Sequence, residues 1–327
     1  MRDLVSILIP AYNSERWISE AIESALAQTW PKKEIIIVDD GSSDKTFSVA
    51  NRYSSKNLEV VTQKHSGASV ARNKAFSLCQ GDYIQWLDAD DLLASNKIEK
   101  QLICCEGDGK DRVLYSSAFG EFFYHSRRAR YAPNSLWHDL KPVEWLLKKL
   151  SENSWISVDA WLVSRELTEV TGLWNENLSL DDDGEYFCRL VSLSQGVKFV
   201  KKAKSYYRRH STDSLSKKTS AKACRSLFQS IILCIDYLRR LENSERTKAA
   251  CLDYLNVWTS YFYPEQEDIL KQIGELMREL GGELRPPTLG WKYFVVETLF
   301  GYKKAKKIQD SIRLGKFVAT KSLNRIL

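Results

Sequence analysis

The 327-residue sequence lacks the features that mark several common protein classes. No apolar run approaches the roughly 20 residues of a membrane-spanning helix. The apolar run near the N-terminus ends at Pro10, without the pattern of a secretion signal. The seven cysteines include no C-x-x-C pair, which argues against a zinc ribbon or a redox motif. With 15 glycines and 7 prolines, the composition is that of a globular protein, and a cytoplasmic location is expected by default.

Three signatures of other enzyme classes are also missing. Without G-x-G-x-x-G, a dinucleotide-dependent oxidoreductase would have no phosphate-binding loop, and without G-x-x-x-x-G-K-[ST] the chain is not a P-loop NTPase. No G-x-S-x-G turn marks the nucleophilic serine of a hydrolase. Nucleotide binding, if present, must therefore use other residues.

The positive charge of the chain is concentrated at one end. The formal net charge is +6, but residues 291–327 alone carry nine Lys and Arg against two acids. The remainder is close to neutral, at −1, which disfavours a nucleic-acid-binding body. The tail also contains aromatic residues, and a basic amphipathic segment suits an anionic membrane surface. We expect no nucleic acid partner, although nucleic acid is the rival ligand for any basic patch and a solvated helix is the other alternative for the tail.

Strand and helix patterns alternate through the first half of the chain, which predicts a mainly parallel sheet covered by helices on both faces. The predicted strands are residues 5–9, 34–38, 58–61 and 83–87. Further along, two short strands are expected at 113–117 and 121–124, followed by a helix near 143–150. Helical periodicity persists from about residue 216 to Gly281. Polar clusters follow three of the early strands, at the sheet edge where such folds bind ligands.

The third cluster contains Asp88-Ala89-Asp90, a D-x-D motif, followed by Asp91. Neighbouring carboxylates repel each other unless a cation or a hydrogen-bonding ligand is present. Oxygen ligands suit Mg²⁺ or Mn²⁺, which commonly bridge to substrate phosphates. The alternative is a helix cap, with Asp91 or Ser95 at the start of a helix from Asn96.

The second cluster, residues 39–44, offers carboxylates for the N–H of a base or the hydroxyls of a ribose, although a turn built from Asp, Gly and Ser needs no ligand. Arg72 lies one turn inside a helix that follows a glycine, where helix N–H groups and a guanidinium could hold a diphosphate. The alternative is that Arg72 pairs with a carboxylate of the same acidic edge, and both can hold.

Two later segments are also candidates. Residues 181–185 form the densest acidic run, and a carboxylate held beside a metal-phosphate site could act as a general base. Acids at the start of a helix are the alternative. His210 is a candidate metal ligand or phosphate contact, against a structural role.

Taken together, these segments resemble glycosyltransferase family 2, the inverting nucleotide-sugar transferases. The motifs occur in the family's order and cover about residues 4–216. They are VSILIPAYN at 5–13, IVDDGSSD at 37–44, GASVARN at 67–73, GDYIQWLDADD at 81–91, Asp182-Asp183 before Arg189, and YRRH at 207–210. The Q-x-x-R-W signature of processive synthases is absent, which favours transfer of a single sugar.

The resemblance implies a GT-A fold, a Rossmann-like, mixed and mainly parallel sheet flanked by helices, here with a C-terminal helical region. It implies a Mg²⁺ or Mn²⁺ cofactor, a nucleotide-sugar donor and a glycan or lipid-linked acceptor in polysaccharide or glycoconjugate synthesis. The residues implied to bind the donor are Pro10, Ala11, Tyr12, Asn13, Asp40, Gly41, Arg72, Asp88, Ala89 and Asp90.

Among these residues, Tyr12 would stack on the base, usually uracil, and Arg72 would approach the diphosphate. Asp90 and His210 are the expected metal contacts. Asp183 would be the catalytic base, but Asp182 stands where the family more commonly has Glu, so the choice between the two acids stays open.

The resulting division is a catalytic domain at 1–216, a helical extension at 217–282 and a basic amphipathic tail at 283–327, with the tail on the inner face of the plasma membrane. A non-catalytic nucleotide-sugar-binding protein is the alternative function; the acid at position 183 argues against it.

Overall fold

The computed structural model describes residues 3–104, 112–209 and 220–326. Its strands are β1 (Val5–Ala11), β2 (Lys33–Asp39), β3 (Leu58–Thr62), β4 (Tyr83–Trp86), β5 (Leu92–Leu93), β6 (Val113–Phe122), β7 (Arg130–Tyr131), β8 (Val163–Ser164) and β9 (Gly196–Arg208). Its α-helices are α1 (Ile18–Leu26), α2 (Thr46–Asn51), α3 (Ala68–Leu78), α4 (Lys97–Ile103), α5 (Pro142–Glu152), α6 (Arg165–Thr171), α7 (Asp182–Leu193), α8 (Ala221–Leu241), α9 (Glu245–Phe262), α10 (Glu267–Glu279), α11 (Phe294–Phe300) and α12 (Tyr302–Ile326).

The first sheet has the strand order β3-β2-β1-β4-β8. Its first four strands are parallel to one another, and β8 runs antiparallel to β4 at the edge. The apolar run of β2 is buried on both faces, as in a sheet covered by helices on its two sides. The prediction of a mixed, mainly parallel sheet flanked by helices is confirmed.

A second sheet, in the order β5-β9-β6-β7, corrects two details of the sequence analysis. The segments predicted as separate strands at 113–117 and 121–124 form one strand, β6, with an irregularity between Ser117 and Ala118. Its partner β9 has 13 residues and was not predicted as a strand of this length. Because four lysines interrupt its apolar residues, β9 lacks the continuous apolar run of a buried strand.

The helices α8, α9 and α10 share a core with the first sheet. Buried residues of α8, such as Ile231 and Leu238, belong to the same apolar cluster as Leu8 of β1 and Trp86 of β4. The helix α8 begins at the cap Ser220, whose hydroxyl accepts a hydrogen bond from the Ala223 N–H. The predicted boundary near residue 216 lies outside the described residues, so the three-part division remains a prediction.

The basic tail forms α11 and α12, and α12 folds back onto the second sheet. The ring of Phe317 in α12 lies 5.4 Å from that of Phe123, just after β6, and the Arg209 guanidinium lies 5.5 Å from the Phe317 ring. In the three described ranges, no helix has both the length and the hydrophobicity that crossing a bilayer requires.

Candidate active site

The polar clusters lie at one edge of the first sheet because β1, β2 and β4 are parallel neighbours. The Asp40 N–H donates to the Ala11 carbonyl (2.8 Å), and the Asn13 side-chain oxygen accepts from the Ser43 N–H (2.9 Å). Pro10 and Ala11 end β1, with their backbones paired to β2. The structure therefore brings the first two clusters into direct contact, as the strand pattern predicts.

Asp40 is buried, and its carboxylate organises the segment that follows β3. It accepts hydrogen bonds from the Gly67 N–H and from Nδ1 of His65, both at 2.8 Å. Two more donors complete the set, the Ser66 N–H at 2.9 Å and Gln63 Nε2 at 2.8 Å. In this structure Asp40 holds the segment at residues 63–67 in place, and its contact with a base remains a prediction.

Tyr12 is 46% exposed, and its ring stacks on the ring of His65 at a centroid distance of 4.1 Å. Tyr12 is the residue predicted to stack on a base, whereas His65 was not predicted to have a role. Gly41 permits this arrangement, because it has a φ of +69° and a Cβ there would lie 2.7 Å from the His65 backbone nitrogen.

The D-x-D motif follows β4, as predicted, and β9 holds the end of this segment at Asp90 and Asp91. Asp91 is buried and accepts a hydrogen bond from the Arg208 N–H at 2.6 Å, and burial raises the pKa of Asp91 well above its usual value. The Arg208 guanidinium also donates to the Asp90 carbonyl at 2.7 Å. The cap alternative is wrong: α4 begins after Asn96, with no side-chain cap from Asp91 or Ser95.

Arg72 joins the D-x-D motif to the acidic start of α7. Its guanidinium donates to Asp88 at 2.8 Å and to Asp182 at 2.7 Å, and it lies 4.3 Å from the centre of the Trp174 ring. Burial lowers the pKa of Arg72, but the charges of both carboxylates outweigh it and raise that pKa overall. The pairing with acids of the same edge is thereby confirmed, while the approach of Arg72 to a diphosphate remains a prediction.

The two candidate bases, Asp182 and Asp183, have different surroundings. Asp182 accepts hydrogen bonds from Arg72 and from the Ser69 hydroxyl, the latter at 3.1 Å. Burial and the charges of Asp182 and Asp181 raise the pKa of Asp183 to about 7, against the opposing effect of Arg72. A carboxylate with a pKa near neutrality can take up a proton under ordinary conditions, which favours Asp183 as the base.

Tyr207 lies within the electrostatic influence of acids from both segments. Burial raises the pKa of Tyr207, and the charges of Asp91, Asp90, Asp183 and Asp88 raise it further. Acids from the end of β4 and from α7 are thus close enough to act on one phenol. The sequence analysis assigned no role to Tyr207 beyond its motif.

Trp155 was not anticipated at all. It is 40% exposed, with its ring 5.3 Å from Tyr207 and 4.7 Å from Phe119. An exposed tryptophan beside a site suits stacking on a sugar ring. Nothing in the local sequence distinguishes it from the buried tryptophans.

The residues predicted to bind a metal ion offer oxygen donors but do not form a complete set of ligands. Within residues 3–104, 112–209 and 220–326, no group of three or more His, Cys, Asp or Glu side chains is arranged to hold an ion. The carboxylates of Asp88 and Asp90 nevertheless fit the way Mg²⁺ binds, through one or two carboxylates, waters and substrate phosphates. His210 lies outside the described residues.

Comparison with known proteins gives the same picture. The model of the family Glycosyl transferase family 2 matches residues 6–159. An uncharacterized glycosyltransferase of Rickettsia typhi, RT0329, is 33% identical over 198 residues, which are 58% of this chain and 59% of that protein. The UDP-Glc:alpha-D-GlcNAc-diphosphoundecaprenol beta-1,3-glucosyltransferase WfgD of Escherichia coli is 40% identical over 100 residues, 30% of this chain and 40% of WfgD.

Among solved structures, S. aureus TarS residues 1–349 in complex with UDP-GlcNAc has a TM-score of 0.66 and 17% identity, over 84% of this chain and 80% of that one. At this identity the likeness shows the fold. The chain spans less than two thirds of the length of the two sequence relatives. The matched family segment contains the D-x-D motif but ends before Asp183.

Proposed function

Because the chain belongs to glycosyltransferase family 2 and has the GT-A fold, we propose that it moves one sugar from a UDP-sugar to a hydroxyl group of an acceptor, with inversion at the anomeric carbon. The acceptor would be a glycan or a lipid-linked sugar in the synthesis of a cell-surface polysaccharide or glycoconjugate. The observation that carries this proposal is the pairing of Arg72 with both Asp88 and Asp182, beside Asp183, whose pKa the charge of Arg72 lowers. The name of WfgD includes a UDP-sugar donor and a lipid diphosphate acceptor, which supports both substrate classes.

The donor would lie along the polar edge of the first sheet. One face of the Tyr12 ring stacks on His65, which fixes the orientation of the ring. The exposed part of the ring offers a surface for the base. Asp88 and Asp90 would hold a divalent ion together with the donor diphosphate. Such an ion, when bound, neutralises the charge that grows on the departing diphosphate.

Asp183 would remove the proton of the acceptor hydroxyl as that oxygen attacks the anomeric carbon. The bond from the sugar to the diphosphate breaks on the opposite face, so one displacement inverts the configuration. A free hydroxyl holds its proton tightly, and a positioned base contributes about 10² to 10⁴ in rate. Arg72 is placed to hold Asp182 away from this role, because its guanidinium donates a hydrogen bond to the Asp182 carboxylate.

The test is Asp183→Asn, with Asp253→Asn in α9 as the matched control because Asp253 is exposed. Release of UDP from a panel of UDP-sugars is measured with a lipid-linked sugar acceptor and Mn²⁺, beside binding of UDP by calorimetry. We expect Asp183→Asn to bind UDP as the wild type does and to lose transfer by about a hundredfold or more. Transfer at the wild-type rate by Asp183→Asn would refute the assignment of the base. If the wild type binds UDP but transfers no sugar, the alternative of a non-catalytic nucleotide-sugar-binding protein would be favoured.

The tail is proposed to place the enzyme on an anionic membrane. Apolar side chains on α11 and α12 are exposed, among them Leu299 (68%), Val295 (65%) and Phe300 (58%). Exposed lysines, including Lys303 and Lys307, lie in the same segment. An apolar surface with flanking positive charge binds anionic lipid headgroups and the underlying acyl chains.

Co-sedimentation with vesicles tests this placement. The intact chain is expected to pellet with vesicles that contain phosphatidylglycerol and to stay in solution with neutral vesicles. A chain ending at Gly282, which lacks α11 and α12, should remain in solution with both. Equal pelleting of the two chains would exclude the tail as the membrane contact.

A further inference from the structure

A cavity of about 260 Å³ lies between the end of the second sheet and the helix α12. Strand β6 contributes Glu121 and Phe122 to its lining, and α12 contributes Lys316, Phe317 and Thr320. The volume is smaller than the roughly 300–1,000 Å³ of pockets that enclose whole drug-sized ligands. It suits one small group of a larger molecule.

The charge of this cavity is strongly positive. Its described lining contains four basic side chains, those of Arg128, Arg130, Arg209 and Lys316, and a single carboxylate, that of Glu121. The formal charge of the lining is therefore +3. Arg209 is paired with that carboxylate, at 2.8 Å. Basic groups gathered in a concave site focus a field that attracts anions, and guanidinium groups match phosphate oxygens in geometry.

The cavity adjoins the candidate active site. Phe122 lines it and also lies 4.5 Å from the guanidinium of Arg208, the residue that donates to the Asp90 carbonyl and to Asp91. Arg209, the next residue, is part of the cavity wall. Phe122 and Arg208 thus connect the cavity wall to the end of the D-x-D segment.

The same helix also carries exposed apolar residues, among them Ile308, Ile312 and Val318. A ligand with a phosphate group and a hydrophobic chain would therefore find a basic cavity and an apolar surface on one element. We propose that the cavity is the subsite for the diphosphate of a lipid-linked acceptor. This inference rests on the proposed function, because it names the acceptor of the same reaction.

The chain offers variants with opposite expected signs. Arg128→Gln combined with Arg130→Gln removes two of the four positive charges from the cavity. Glu121→Gln removes its carboxylate and releases Arg209 for an anion. The matched control for lost positive charge is Arg240→Gln combined with Arg285→Gln, whose side chains are 75% and 84% exposed and lie outside the cavity.

Binding is measured by calorimetry on the whole chain in EDTA, where no divalent ion recruits a diphosphate to the donor site. The probes are farnesyl diphosphate and inorganic pyrophosphate. We expect the double arginine variant to weaken binding of both by about tenfold or more, the cost of losing charge-assisted hydrogen bonds. Glu121→Gln should strengthen binding, a gain that damage to the fold would not produce. Tighter binding of farnesyl diphosphate than of pyrophosphate supports the lipid-linked source.

Two results would overturn the inference. One is binding of both probes by the double arginine variant with the wild-type affinity, or an equal loss in the control. The other is binding of the two probes with the same affinity, together with a loss of affinity for phosphatidic acid vesicles in the double variant, which would mark a general headgroup contact. Because this measurement needs no donor, a failure of UDP-sugar binding would refute the proposed function while leaving the cavity result standing.

Discussion

Replacing Asp182 by Asn should shift the pH dependence of transfer without abolishing it. Asp183 has a pKa of about 7, and after burial the charge of Asp182 is the largest cause of that rise. A base with this pKa is about one tenth ionised at about pH 6 and about nine tenths ionised at about pH 8. The acid limb of the wild-type profile is therefore expected near neutrality.

A like charge in contact distance changes a pKa by about one unit or more, and so the acid limb of Asp182→Asn should move down by about one unit. The ionised fraction at about pH 6 then rises from about one tenth to about one half. The freed Arg72 acts in the same direction, because its charge already lowers the pKa of Asp183. Asp183→Asn should instead be slow at every pH, with no acid limb.

The quantity measured is kcat/KM for the acceptor, obtained from the release of UDP across the pH range at constant ionic strength. The limbs of this profile report ionisable groups of the enzyme before the acceptor binds. Asp253→Asn should overlay the wild type. An unchanged acid limb in Asp182→Asn would refute the electrostatic argument. Loss of transfer in Asp182→Asn with its retention in Asp183→Asn would reverse the assignment of the base.

Three further predictions concern stability. Arg72→Gln should lower the free energy of unfolding by about 3 kcal/mol, because it strands two carboxylates; urea denaturation should show almost no change for the exposed Arg240→Gln. The pKa of Asp183 is raised on folding, so the stability it contributes is present below about pH 4 and is lost as the pH rises through about 7. Asp183→Asn should therefore raise the melting temperature at about pH 8 and leave it unchanged at about pH 4. Gly41→Ala should lower the free energy of unfolding by about 1–3 kcal/mol, because Gly41 has a positive φ, and it should also weaken UDP binding. The control Gly315→Ala, at a position with open space around it, should leave thermal stability unchanged or raise it slightly.

The first sheet was predictable because each of its parallel strands is an apolar run followed by a polar turn. The second sheet was less predictable, since β6 contains Ser116, Ser117 and Gly120, and four lysines interrupt the apolar residues of β9. Both strands gain their stability from pairing with each other over ten positions, a long-range effect that local pattern does not reveal.

The candidate site divides in the same way. The D-x-D motif and the acids at 182 and 183 were identifiable by residue type and spacing. The two contacts of Arg72, with partners 16 and 110 residues away along the chain, and the position of Trp155 depend on tertiary packing. His65 was similarly hidden, because its ring reaches Tyr12 only when Asp40 fixes the segment after β3.

The shared guanidinium of Arg72 has an energetic consequence for anyone dissecting this protein by substitution. Loss of one acid partner leaves the cation entirely to the other, so the effects of changing Asp88 and Asp182 should not add. A double-mutant cycle between these two positions would measure their interdependence as a free energy. The strand end and the helix start would then behave as one thermodynamic unit, and neither acid would have a contribution of its own.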